Sequence, residues 1–198
     1  MAVGDRQRLI VDIVATVLNE RAQTDMSFTW FVNKHTKEHF GKYFPTIDRI
    51  FSTLNGNKQA SDAKRTMKLD CDAYFGGQHN FIFEFDEYQH FSSARLKTFE
   101  LYPTDLKVNF NIDEWKQRCR IQKDKADKYR KTKTTVDFAF VGGRTAQRAY
   151  LDCFRDLLPE INKLQSTVRI SEFEVTDIYL NNKDARSKIE KLLKAKIK

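Results

Sequence analysis

The sequence predicts an α/β or α+β domain in which a central mixed sheet is flanked by helices. Three observations carry this. Apolar residues follow a helical period through the first fifty-odd positions, change to a period of two between residues 66 and 86, and then alternate between charged helical stretches and short apolar strands. At 198 residues and 40% hydrophobic content, the chain has enough apolar mass for a real core.

Leu9, Ile10, Ile13, Val14, Val17 and Leu18 give an amphipathic helix over residues 6–20, with Asp5 placed to cap it. Residues 28–32 are short and aromatic, a strand or a tight turn. Phe40, Tyr43, Phe44, Ile47, Ile50, Phe51 and Leu54 continue a helix from Thr36, kinked by Pro45 and stopped by Asn55-Gly56. Over residues 66–75, Met67, Leu69, Cys71, Ala73 and Phe75 share one face, while Lys68, Asp70, Asp72 and Tyr74 share the other. Gly76-Gly77 marks a turn, and residues 81–86 alternate again, so a β-hairpin is expected. Ser92 or Ser93 caps a short helix to about Tyr102, stopped by Pro103. Leu106, Val108, Phe110 and Ile112 form a further strand, and Asp113 opens a charged helix to about Lys131. Val136, Phe138 and Phe140 make another strand, ended by Gly142-Gly143. A long helix with Tyr150, Leu151, Phe154, Leu157 and Leu158 follows, then a strand over 168–175 and a basic helix over 183–198.

The formal charge of +8 and the pI of about 9.3 favour a polyanionic partner. Cys71, Cys119 and Cys153 are odd in number and widely spaced, the pattern of free thiols in a reducing compartment. No apolar run reaches the length of a membrane span, and the charged opening stretch is not a secretory signal. A cytoplasmic, intracellular protein with no membrane partner is expected.

The informative segment is Leu69 to Phe91. A carboxylate in a low-dielectric setting costs several kcal/mol unless it is paired or metal-bound. Here two neighbouring strands each place acids on one face, Asp70 and Asp72 on the first and Glu84 and Asp86 on the second. Such a cluster shares protons, pairs with Lys or Arg, or binds a hard divalent cation. The alternative is an ordinary solvated face, with the acids paired to Lys64, Arg65 or Lys68.

The run Glu84-Phe85-Asp86-Glu87-Tyr88-Gln89-His90, with Asp72 preceding it across a turn, resembles the PD-(D/E)XK nuclease superfamily. The similarity is closest to the branch of the very short patch repair endonucleases, with an acid, about a dozen residues, and then E-x-D-G-x-Q-H on an apolar strand. The resemblance implies a restriction-endonuclease-like core and a Mg²⁺-dependent DNA endonuclease, with Mn²⁺ as a substitute. It assigns Asp72, Glu84 and Asp86 as metal ligands and Gln89 and His90 as further catalytic residues. Asp70 or Glu20 are additional candidate acids. Glu87 stands where the branch has glycine, and no lysine follows Glu84 by two. Asp86 occupies that lysine position, so His90 or Gln89 would have to handle the proton. The resemblance makes residues 1–198 one nuclease domain: a helical part at about 1–56, a catalytic sheet core at about 57–175 and the terminal helix.

The basic stretch 116–133 and the basic residues near the motif supply candidate DNA contacts: Arg65, Arg95, Lys97, Lys116, Arg120, Lys123, Arg144 and Arg148. Arg144 and Arg148 lie near a helix start where a phosphate could dock. Trp30, Tyr88 and Trp115 are candidates for base stacking. His35 and His39 have the spacing of a helical metal pair but lack a third ligand. Double-stranded DNA is the expected partner, with cutting by a homodimer left open. A mismatch- or structure-specific nicking enzyme and a non-catalytic nucleic-acid-binding module of the same fold are the alternatives.

Overall fold

The computed structural model describes residues 4–179 and 184–197. It is a mixed α/β structure with a small three-stranded sheet flanked by helices. Residues 183 and 198 of the expected terminal helix lie outside the described residues.

Helix α1 (Asp5–Leu18) buries Ile10 and Val14, which its apolar period marks, and Val11, which it does not; Gly4 is the N-cap in place of the expected Asp5, with no side-chain cap bond. The next helical stretch divides where Pro45 demands it: α2 (Lys37–Phe40), a 3₁₀ turn at Gly41–Tyr43, and α3 (Phe44–Thr53) with the proline in its first turn, where no backbone donor is needed. A short α4 (Lys58–Ala63), capped by Asn57, was not evident in the periodicity.

Strand β1 is only Ala73–Phe75, and it pairs antiparallel with β2 (Phe81–Asp86), so the expected hairpin forms. The long alternation before it does not make a strand. Met67 is 59% exposed, and Lys68 makes only an isolated bridge to Val32, so residues 28–32 are turn rather than strand. Helix α5 (Ser93–Phe99) is capped by the Ser92 side chain, and α6 (Ile112–Ala126) by Asn111 rather than Asp113.

Two expected strands are absent. The segment around Leu106–Ile112 makes one parallel bridge, Asn109 to Val168. It is otherwise tied by side chains: Asn109 donates to the Ser166 carbonyl (2.7 Å), and Ser166 Oγ to the Lys107 carbonyl (2.9 Å). The segment around Val136–Phe140 is a tight turn in which Thr135 and Phe138 exchange both backbone bonds, and Val136 is left exposed. Gly142 then takes φ 89°, and a Cβ on Gly143 would fall 1.9 Å from the Phe138 carbonyl oxygen, so the glycine pair lets the turn close onto the next helix.

Helix α7 (Gly143–Ile161) leads into β3 (Gln165–Ser171), which pairs parallel with β2 and places Glu84 beside Arg169 and Asp86 beside Ser171. The expected strand end at 172–175 is instead a 3₁₀ turn. Helix α8 (Ala185–Lys196) follows.

The sheet order β1-β2-β3 makes β2 the central strand, buried along its whole length. Phe81, Phe83 and Phe85 on one face pack with Phe75, Val168 and Ile170 against α1 and α8. The opposite face, with Glu84 and Asp86, turns toward α7. The apolar stripe of α7 points away from the sheet. Tyr150, Phe154 and Leu157 join Phe40, Phe51 and Phe138 in an aromatic core with α2 and α3. Helix α7 is therefore covered on both sides.

Candidate functional site

The side of α7 that meets β2 and β3 is charged. Arg148, Asp152, Arg155 and Asp156 fall on one helical face by their spacing. Asp152, Asp156 and Arg169 are all buried. Such charges are tolerable only when paired and hydrogen-bonded, and here they are. Arg169 Nη1 donates to Asp86 Oδ1 at 2.7 Å and its Nε to Asp156 Oδ1 at 2.8 Å. Asp156 Oδ2 accepts from Arg95 Nη2 and from the Tyr102 hydroxyl, each at 2.6 Å. Trp115 Nε1 donates to Asp86 Oδ2 at 2.8 Å.

This network corrects three expectations. Asp86 has both oxygens committed, to Arg169 and to Trp115, and is not free to ligate a metal. Arg95 is a buried partner of Asp156 with its ring-facing side 4.0 Å above Phe99, so it cannot reach DNA. Trp115 is a core side chain rather than a base-stacking one.

Asp72 and Glu84 are differently placed. Asp72 stands one residue before β1, so continuing the β1–β2 register sets it alongside Glu84. Its Oδ2 accepts the Phe85 backbone N–H at 2.7 Å, closing the edge of β2 where β1 stops. Glu84 has Arg155 as its neighbour, with Nε and Oε1 2.7 Å apart. The N–H does not point along that line, and both atoms are buried without an aligned hydrogen bond. Arg155 Nη2 spends its bond on the Asp70 carbonyl at 2.6 Å. Burial pushes the Asp72 carboxyl up to about 6 against the pull of the Phe85 N–H and Arg155. It pushes Glu84 up to about 8 despite Arg155, with the Asp72 charge adding to the rise.

His90 closes the far end of β2. Its Nδ1 lies 3.0 Å from Asp152 Oδ2 and 3.7 Å from Asp86 Oδ1, and its side chain keeps 20% of its surface. Burial raises the Asp152 carboxyl, but His90, Arg169 and Arg95 overcome this and hold it well below the usual carboxylate range. An ionised carboxylate can only accept, so Nδ1 carries the hydrogen and Nε2 is the ring nitrogen left for other chemistry.

The remaining expected residues are scattered. Gln89 donates to Glu87 Oε2 at 2.6 Å, and its carbonyl accepts from Arg148. Asp70 is exposed, and only its carbonyl faces the site. Glu20 accepts the Gly77 N–H at 2.5 Å and so fastens the hairpin turn, away from the acids. Arg65, Lys97, Arg120 and Lys123 are exposed. Lys116 is half-buried, 3.8 Å from Asp113. The first N–H groups of α7 are taken by the carbonyls of Phe140, Lys133 and Gly142, so the helix start near Arg144 and Arg148 has no open phosphate cradle. His35 is buried between the Tyr150 hydroxyl (2.6 Å) and Asp48 (3.1 Å), a core histidine and not half of a metal pair.

Sequence reasoning missed Asp152, Arg155 and Arg169, the residues that decide the charge state of the site. Among the described residues, no three His, Cys, Asp or Glu side chains are grouped so as to hold a metal ion, so the expected three-acid set does not assemble. Two acids, Asp72 and Glu84, remain as hard oxygen donors. A cation taking up these two acids would have to share Glu84 Oε1, which is buried without an aligned hydrogen bond, with the Arg155 guanidinium 2.7 Å away. No described helix is long and apolar enough to cross a membrane. The chain matches no family model, no curated protein and no solved structure.

Proposed function

We propose that the chain is a Mg²⁺-dependent endonuclease hydrolysing phosphodiester bonds in double-stranded DNA, on a restriction-endonuclease-like core. The observation that carries this reading is the pair Asp72 and Glu84. Two carboxyls are fixed side by side at the edge of a central strand, both raised in pKa by burial, and one has an oxygen that faces Arg155 without an aligned hydrogen bond. Arg155 compensates Glu84 only in part, and a cation joining the two carboxyls would lower the cost of ionising them.

Asp72 and Glu84 would hold Mg²⁺, or Mn²⁺ in its place, and the bound ion would supply phosphate polarisation and a more acidic water. The Phe85 N–H keeps the Asp72 carboxylate at the strand edge. Arg155 offsets part of the charge on Glu84 and ties the Asp70 backbone to α7. The Asp152 carboxylate holds His90 by Nδ1 and leaves Nε2 as the ring nitrogen that could handle a proton. Asp86, Asp156 and Arg169 form the rigid floor below.

Plasmid incubated with Mg²⁺ and with chelator tests the reading. Metal-dependent nicking or linearisation, lost in Asp72→Asn and Glu84→Gln, supports it, and undiminished cutting by either folded variant overturns it. A specific observation favours a second reading, a nucleic-acid-binding module without catalysis. Arg155 already stands 2.7 Å from Glu84, and Asp86 is occupied by Arg169. Calorimetry separates the two, since DNA binding with no Mg²⁺ or Mn²⁺ uptake selects the module.

A further inference from the structure

Arg130, Arg144 and Arg148 lie together beside the His90 end of β2. Arg144 and Arg148 are one helical turn apart on α7. Arg130 follows α6 in a left-handed backbone conformation, φ 51°, that carries its side chain onto the same ring as Arg148. The two guanidinium carbons lie 5.4 and 5.2 Å from the centre of Tyr129. Tyr129 meets Tyr88 edge to face at 5.9 Å, and Lys125 covers Tyr88 at 4.2 Å.

None of the three arginines forms an ion pair among the described residues. The nearest acid along α7, Asp152, is engaged by His90. Arg148 is half-buried, and its one hydrogen bond to protein is a long one, 3.4 Å from Nη1 to the Gln89 carbonyl. Burial pushes its pKa down, with the charges of Arg144 and Arg130 adding to the fall and those of Asp152 and Tyr129 opposing it. Like charges gathered around one partly desolvated guanidinium raise the free energy of the empty site, and an anion there would offset that repulsion. The flat, forked donors of arginine match a tetrahedral phosphate.

We propose that Arg130, Arg144 and Arg148 form a phosphate receptor for the backbone of the nucleic-acid strand, one residue removed from His90. This rests on the proposed nuclease reading for its polymer and deepens it by naming where that polymer is gripped. Tyr129 acts as the rigid backing that keeps two of the guanidiniums in register, and Lys125 extends the cationic track along α6.

The test is fluorescence anisotropy with a labelled duplex of about twenty base pairs in chelator, so that nothing is cut, at several salt concentrations. Arg130→Ala, whose parent side chain is exposed, and Arg148→Ala should each weaken binding about tenfold and lower the salt slope by about one. Arg148→Lys, which keeps the charge and loses the fork, should recover the slope but only part of the affinity. Lys191→Ala on α8, across the sheet, removes the same charge and should change neither. Equal behaviour of Arg130→Ala, Arg148→Ala and the native chain overturns the receptor, as does an equal loss in Lys191→Ala, which would show only diffuse attraction. Failure of the nuclease reading looks different: slope and affinity respond as stated, but Mg²⁺ produces no cleavage. Cleavage by Arg148→Ala at unchanged KM has the opposite meaning and removes the receptor alone.

Discussion

Glu84→Gln separates the charge of the acid from its shape, and its consequences can be worked from the structure. Burial lifts the Glu84 carboxyl from the ordinary 4.5 to about 8. Between those values the native protein binds a proton that the unfolded chain has released, so stability falls as pH rises through the window. At about 1.4 kcal/mol per pH unit, the burden is on the order of 3 kcal/mol at pH 7 and reaches a plateau above pH 8. Glutamine has the same size and no charge to bury. In chelator, Glu84→Gln should therefore match the native protein near pH 4.5 and exceed it by on the order of 3 kcal/mol at pH 7. For a chain of this size that is roughly 6–12 °C in Tm. Residual slope below pH 6 in the variant belongs to Asp72, raised to about 6 by the same burial. Magnesium should narrow the gap from the other side. At about ten times its dissociation constant it adds roughly 1.4 kcal/mol to the native protein and nothing to the variant. Scanning calorimetry across pH 4.5 to 8.5, with chelator and with Mg²⁺, reads all of this. Parallel pH profiles for the two proteins would refute the reasoning, because Glu84 would then be a charged partner of Arg155. A variant less stable at every pH would refute it equally.

Three further outcomes follow from the same network. Asp156→Ala strands Arg95 and Arg169 without their shared carboxylate, and denaturant titration should show a loss of about 3–5 kcal/mol. Asp152→Asn releases the constraint on the His90 tautomer. Cleavage should fall by about ten- to a hundredfold, and imidazole nitrogen shifts should show Nδ1 losing its fixed proton, whereas unchanged shifts would make Asp152 merely structural. Burial pushes the Cys71 and Cys119 thiols up to about 12 and Cys153 to about 11, so a chromogenic disulfide should find almost no reactive thiol in the folded protein and all three after denaturation.

The acid side has its own signature. His90, Arg169 and Arg95 hold Asp152 low against burial, and Arg169 and Arg95 do the same for Asp156. Stability from these depressed carboxyls is present above the ordinary carboxylate range and is lost as pH falls below it. The native protein is thus eroded from both ends, by Asp152 and Asp156 in acid and by Glu84 toward alkaline pH.

Local signals were enough wherever one residue's neighbours in sequence are also its neighbours in space. The apolar periods of α1 and α7, the proline that starts α3, the Ser92 cap and the antiparallel pair around Gly76-Gly77 are of this kind, and so is the placing of Glu84 and Asp86 on one face of β2. Alternation misled at Leu106–Ile112 and at Val136–Phe140 because it reports which side of an extended chain is buried, not whether another strand lies alongside to take its hydrogen bonds. The charged stripe of α7 gave no local sign of its burial. Arg148, Asp152, Arg155 and Asp156 have the spacing of a solvated face, and Arg169 alternates with buried valine and isoleucine as a solvent-facing strand residue would. Only tertiary contact brings these opposite charges together, from segments far apart in the chain, and only that pairing makes their burial tolerable. Sequence alone thus located the acids. The partners of Glu84 and Asp86, Arg155 and Arg169, were decided by the packing of α7 and β3 against the central strand.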